Sequence, residues 1–228
     1  MKIFISGNNQ RVWELQKIIS AEHDIFIEEG KSSIPDLTAF NLIIDLNLDD
    51  NPQHLTRYAL LKGIIVMGCA VKKTLKSMVA ETNSELLCKL AGINSLPTFI
   101  ARNVLEISFL KKEDEALIAE KIKALGLSYL AVADQVGMVT PRIICTIINE
   151  AFYTLNNGIA SIEDIDKGLK LGTAYPMGPF EWANKIGIKD VYETLDAIYQ
   201  STHDARYTIC PLLKEKYTTK ENHIGAGI

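Results

Sequence analysis

The 228-residue sequence has no Lys/Arg-rich run, and its 24 basic residues are outnumbered by 28 acidic ones for a formal net charge of -4. A nucleic-acid surface needs a clustered basic stripe, so that class is disfavoured. No apolar run nears the roughly 20 residues that span a bilayer. The N-terminus opens in an apolar run rather than in a charged region, apolar core and cleavage site. The expectation is a cytoplasmic protein with neither a membrane nor a nucleic-acid partner. Cys69, Cys88, Cys145 and Cys210 form no C-x-x-C pair, and the four histidines are scattered. Neither a disulfide framework nor a metal site has support, and buried, reduced thiols are expected. Internal repeats and low-complexity linkers are also lacking.

What is present divides into two halves. The apolar share is 47% and the charged share 23%, ordinary for a globular chain. Short apolar runs alternate with helical patterns through the first half: "IFIS", "DIFIE", "NLIIDL", "GIIVMG", "SMVAE", "TFIA", "VLEISF" and "LSYLAV". Such alternation predicts a mostly parallel sheet covered by helices, here over residues 1–133. From residue 134 to 228 the apolar spacing is helical almost throughout, predicting an all-α second domain. Its first helix runs from about Met138 to Leu155, with Pro141 in the first turn, where a missing N–H costs nothing. "SIED", from Ser161, resembles a capping box for the second helix. Further helices are expected around Pro179 to Lys185, Lys189 to Tyr199 and Pro211 to Tyr217.

The opening "KIFISGNNQRVWELQKII" reads as strand, turn and amphipathic helix, the start of a dinucleotide-binding unit. The loop expected there is G-x-G-x-x-G. Here the six positions are Gly7, Asn8, Asn9, Gln10, Arg11 and Val12. Asn9 puts a side chain where a pyrophosphate would lie, Val12 thickens the helix-to-strand contact, and Gly7 alone is also compatible with a merely structural turn. Glu28 or Glu29, ending the second strand, could hold an adenosine ribose.

"NNGIASIEDIDKGLKLGTAYPMGPFEWANKIG" carries a resemblance. It is similar to the C-terminal domain of the 3-hydroxyacyl-CoA dehydrogenases, whose Gly-Tyr-Pro-Met-Gly-Pro-Phe-Glu run has its counterpart at Tyr175 to Glu181. "VGMVTPRIICTIINEAFYTL" resembles the long first helix of that domain. In the first half, "FNLIIDLNLDD" resembles the family's Leu-Val-Ile-Glu-Ala-x-x-Glu strand end and puts Asp49 on its cofactor-contacting acid. "AETNSELL" is similar to its Ser-Asn-Thr-Ser-Ser-Leu turn and puts Ser84 on its active-site serine. "GINSLPTFIARNVLEI" aligns Glu106 with the catalytic glutamate and Asn94 with the catalytic histidine. The family's active-site Asn falls on Pro141, just before Arg142.

The resemblance implies a shortened Rossmann-like α/β domain followed by a helical 3-hydroxyacyl-CoA dehydrogenase C-terminal domain that mediates a homodimer. Between "DIFIEEG" and "FNLIIDL" a helix-strand unit is missing, which reduces the acyl-CoA contact surface. The implied activity is NAD-dependent oxidation of a 3-hydroxyacyl-CoA in fatty-acid or butanoate metabolism, with Ser84, Asn94, Glu106 and Pro141 at the catalytic positions. Gly7, Asn8, Asn9, Glu28 and Asp49 stand at the cofactor. Asn94 cannot serve as a general base, so activity is expected to be weakened. The alternative is an inactive relative that binds an acyl-CoA, a nucleotide or a protein partner. Bland readings stand beside these: Ser84 as a cap for a helix "SELLCKL", and Glu106 as a solvated residue of an alternating strand.

Overall fold

The structure is a computed structural model describing residues 1–28, 34–82, 85–220 and 224. Its contacts group into two compact units, Met1–Met138 and Val139–Ile228. The division falls after the boundary expected at residue 133. The reason lies in hydrogen bonds that tie the intervening segment to the first unit: the Asp134 carboxylate accepts from Leu75 N at 2.8 Å and Lys76 N at 3.2 Å, and Gly137 N donates to Val71 O at 2.6 Å.

In the first unit, strands β1 (Lys2–Ser6), β2 (Asp24–Ile27), β3 (Leu42–Asp45), β4 (Ile65–Cys69), β5 (Lys89–Ile93), β6 (Val104–Phe109) and β7 (Ser128–Ala131) form one sheet in the order β2-β1-β3-β4-β5-β6-β7. All pairings are parallel except β5 with β6. β3 and β4 are buried along their whole length and β1 beyond its first residue, as central strands covered on both faces must be. Alternation then sorts their side chains. Ile3, Ile5, Leu42 and Ile44 pack against Val12 and Leu15 of α1 (Asn9–Gln16), with α4 (Glu115–Ala124) adding Ile118 and Ile122 on the same side. Phe4, Ile43 and Val66 meet Leu55 and Tyr58 of α2 (Leu55–Tyr58), and Leu75 and Met78 of α3 (Leu75–Thr82). This is a doubly wound sheet.

Three local expectations are corrected. "SMVAE" lies within α3, because Leu75 and Met78 are buried at helical spacing and Thr74 Oγ1 accepts from Ser77 N at 3.1 Å. "TFIA" is a bend rather than a strand, with Thr98 at φ 71°. The helix "SELLCKL" is absent from the described residues: 85–88 are non-helical, and Lys89 begins β5. That strand escapes sequence inspection because its Gly92 lacks β propensity; tight packing demands it, since a Cβ there would lie 2.5 Å from Ser108 Oγ and 2.6 Å from Ala70 Cβ. Between β2 and β3 the described residues hold only a 3-10 turn, Leu37–Ala39. Among the described residues no helix is long and apolar enough to cross a membrane.

The second unit comprises α5 (Thr140–Asn156), α6 (Ile162–Thr173), α7 (Pro179–Ile186), α8 (Ile188–Thr202) and α9 (Pro211–Thr218). Ser161 caps α6 by accepting from Asp164 N at 3.2 Å. Asp166 reaches from α6 to cap α7, accepting from Phe180 N at 2.8 Å and Glu181 N at 3.1 Å. Glu181 closes the turn by accepting from Gly178 N at 3.0 Å. Gly178 is required here because a Cβ would sit 2.3 Å from Asp166 Cγ. The "MGPFE" run is thus a helix-capping device. Buried Asn149 ties α5 to the segment before α9, donating to Thr208 O at 2.8 Å and accepting from Cys210 N at 2.9 Å.

Candidate functional site

The chain passes from β1 to β2 on one side and then crosses back to β3 on the other side of β1, so the carboxyl ends of β1 and β3 flank the point where doubly wound sheets bind ligands. Two open clefts lie there. One, of about 350 Å³, is lined by Ser6, Gly7, Asn8, Glu28, Asn47, Asn51 and His54. The other, of about 660 Å³, runs from Gly7 and Asn9 past Val12, Trp13 and Gln16 to Ile27 and Glu28. Four of the expected cofactor positions, Gly7, Asn8, Asn9 and Glu28, therefore gather along one rim.

The loop itself is internally satisfied. A Cβ on Gly7 would lie 2.8 Å from Leu46 Cβ, so glycine keeps the close approach of β1 and the β3 end. Asn8 is the N-cap of α1, its side chain accepting from Arg11 N at 2.9 Å. Asn8 N donates to the Asn47 side-chain oxygen at 2.8 Å. Arg11 turns inward and is 1% exposed, donating to Leu46 O at 2.6 Å, with Asp50 at 3.9 Å. Two amides at the start of α1, Asn8 N and Arg11 N, are therefore already bonded within the protein.

Glu28 has a different setting. Burial raises its pKa, but the Ser6 hydroxyl and the Arg57 guanidinium, at 2.9 Å, outweigh burial and hold the carboxyl below its usual range. Behind it, fully buried Asp45 accepts from Tyr58 Oη at 2.9 Å and Asn47 N at 3.1 Å, and lies 3.0 Å from His54 Nδ1. Burial, then the Asp45 charge, push the Tyr58 hydroxyl well above its ordinary value. Asn47, His54 and Arg57 were not expected at the site. They sit in an irregular stretch and in the short α2, where no periodicity marks them.

Asp49 is only 3% exposed and lines neither cleft. Its Oδ2 accepts from Val71 N at 3.0 Å, Lys72 N at 2.9 Å and Cys69 Sγ at 3.2 Å. Burial raises its pKa, and burial together with the Asp49 charge pushes the Cys69 thiol to about 12. The structure places this acid in the interior, bracing the loop after β4.

Asn94 follows β5 directly and is 4% exposed; its Oδ1 accepts from Leu96 N at 3.4 Å. Ile93 pairs with Ile107 in the antiparallel register, so the next position sets Asn94 opposite Glu106, and Asn94 N donates to Glu106 O at 3.2 Å. Residues opposed in this way share a face of the sheet. The two aligned catalytic positions are brought together at the carboxyl end of the parallel strands. Ser84 and Glu29 lie outside the described residues. Pro141 belongs to the second unit, buried in the first turn of α5, and its neighbour Arg142 donates to Tyr207 Oη at 3.0 Å.

Comparison with known proteins adds the relatives. The model of the 3-hydroxyacyl-CoA dehydrogenase C-terminal domain matches residues 137–227. A 3-hydroxybutyryl-CoA dehydrogenase of Bradyrhizobium diazoefficiens is 30% identical over 158 residues, 64% of this chain and 54% of the relative. A probable 3-hydroxybutyryl-CoA dehydrogenase of Bacillus subtilis is 35% identical over 102 residues, 45% of this chain and 34% of the relative. The chain spans about half the length, or less, of these curated relatives. Among solved structures, (S)-3-hydroxybutyryl-CoA dehydrogenase from Ralstonia eutropha superposes with a TM-score of 0.76 at 21% identity, covering 97% of this chain and 95% of that one, which establishes a shared fold. Residues 137–227 thus match the C-terminal domain of the 3-hydroxyacyl-CoA dehydrogenases, curated 3-hydroxybutyryl-CoA dehydrogenases are similar in sequence over part of their length, and the chain shares their fold.

Proposed function

We propose that this protein is a 3-hydroxyacyl-CoA dehydrogenase-type oxidoreductase of fatty-acid or butanoate metabolism, using NAD and turning over slowly. The observation that carries the reading is the pairing of Asn94 with Glu106 at the strand ends, the two positions that align with the family's catalytic pair. An amide side chain donates a hydrogen bond to a substrate oxygen and so still orients it. It takes up no proton near neutral pH, and losing a general base costs roughly 10²- to 10⁴-fold in rate. Ser84 is assigned to the substrate's 3-oxygen by the same alignment, and Pro141 supplies no donor where the family has an Asn.

The internally bonded loop favours a second reading, a silent relative that binds an acyl-CoA, a nucleotide or a protein partner. The test is NADH consumption by the purified protein with acetoacetyl-CoA at high enzyme concentration. Turnover above a no-enzyme control supports the dehydrogenase reading, and its absence supports the silent one.

A homodimer through the second unit is part of the proposal. A largely apolar groove of about 440 Å³ is lined by Ile147, Ala151, Ile165, Leu169 and Pro179, and Ile143, Ile159 and Leu171 are exposed on the same unit. Light scattering after size exclusion measures the mass; a monomer at working concentration would refute the dimer.

A further inference from the structure

At the start of α1 the chain's own side chains accept the hydrogen bonds of two backbone amides. In a phosphate-binding loop, amides at a helix N-terminus point at phosphate oxygens, and the ligand serves as the cap. Here two side-chain carbonyls occupy that role. Asn47 Oδ1 accepts from Asn8 N at 2.8 Å, and Asn8 Oδ1 accepts from Arg11 N at 2.9 Å.

Asn47 is held in place from several directions. Its own N–H donates to Asp45 Oδ1 at 3.1 Å, its side-chain amide donates to Asp50 Oδ2 at 3.2 Å, and its carbonyl accepts from Asp50 N at 3.1 Å and Asn51 N at 3.0 Å. A Cβ on Gly7 would lie 3.2 Å from Asn47 Oδ1, so the amide fills the space that the missing side chain leaves. Arg11, the basic residue nearest the loop in sequence, points inward to Leu46 O. Glu28, partly exposed, and Ser6, 4% exposed, line the same 350 Å³ cleft as Asn8 and Asn47 beside this plug.

The geometry points to Asn8 and Asn47 as a built-in substitute for a ligand phosphate, so that the cleft takes the nucleoside end of a nucleotide and gains nothing from its phosphates. This rests on the reading of the cleft as a nucleotide site. Asn47 is then the residue that sets cofactor affinity, since its removal frees Asn8 N for an incoming phosphate oxygen.

The test is calorimetric titration of adenosine and ADP into the full-length protein, its Asn47→Ala variant and its Asn47→Asp variant, with a circular dichroism melt to confirm that each is folded. The wild-type protein is expected to bind ADP no more tightly than adenosine. Asn47→Ala is expected to bind ADP about tenfold more tightly than adenosine, the worth of one hydrogen bond to a charged group. Asn47→Asp retains the acceptor and adds negative charge, so ADP should bind it no better than it binds the wild type. The wild-type comparison decides the question even if a variant fails to fold. Wild-type preference for ADP of tenfold or more overturns the inference and leaves the nucleotide reading intact. A variant that still shows no gain from phosphate also overturns it. Failure of both ligands to bind wild type and variant overturns the inference and the nucleotide reading together.

Discussion

Asn94 and Glu106 face each other across the antiparallel pair β5 and β6, joined by a backbone hydrogen bond of 3.2 Å from Asn94 N to Glu106 O. An imidazole at position 94 would therefore stand beside a carboxylate. Asn94→His is expected to raise NADH-coupled turnover of acetoacetyl-CoA by roughly 10²-fold or more, the contribution of a general base. An unchanged rate would show that binding, not the base, limits this protein.

Asp49 is a structural acid in this geometry. Asp49→Ala leaves the Val71 and Lys72 amides without their acceptor and is expected to cost about 2 kcal/mol, while Asp49→Asn retains one carbonyl for them and costs less. Urea unfolding of the three proteins checks the order. Equal loss in both variants would contradict it.

Two glycines of the second unit should respond with opposite sign. Gly178→Ala drives a methyl group into Asp166 and should cost about 1–3 kcal/mol. Gly168, inside α6 with open space where its Cβ would go, should gain about 0.5–1 kcal/mol on substitution by Ala. Thermal melts of the two variants measure both.

Glu28 gives a pH dependence. Its folded-state pKa lies below the ordinary 4.5, so the stability that it adds is complete above that value and is lost as pH falls through the depressed one. Glu28→Gln should flatten the acid side of the melting-temperature profile below about pH 4.5. The profile above that pH should keep its shape. A parallel acid limb in both proteins would mean that the pair with Arg57 adds no pH-linked stability.

The sequence determined more of the fold than of the site. Strand runs such as "IFIS" and "NLIIDL" are legible as short continuous apolar runs because both of their faces are buried, and the helices around Met138 to Leu155 and Ser161 to Gly172 because burial of one face imposes a period of 3.6. The spacing from Gly92 to Glu106 aligned Asn94 and Glu106 with the family's catalytic pair, and the antiparallel register of β5 and β6 set them opposite each other. Tertiary structure alone decided the rest. β5 could not be read because packing against Ala70 and Ser108, not propensity, requires its glycine. Asp49 reads as a ligand-facing acid by alignment, yet its environment is set by amides 22 and 23 residues away. The Asn8 to Asn47 bond joins residues 39 apart, and no local pattern encodes that meeting. Hydrophobic periodicity is a local property of a chain, whereas the satisfaction of a polar group depends on which distant partner the sheet brings within 3 Å.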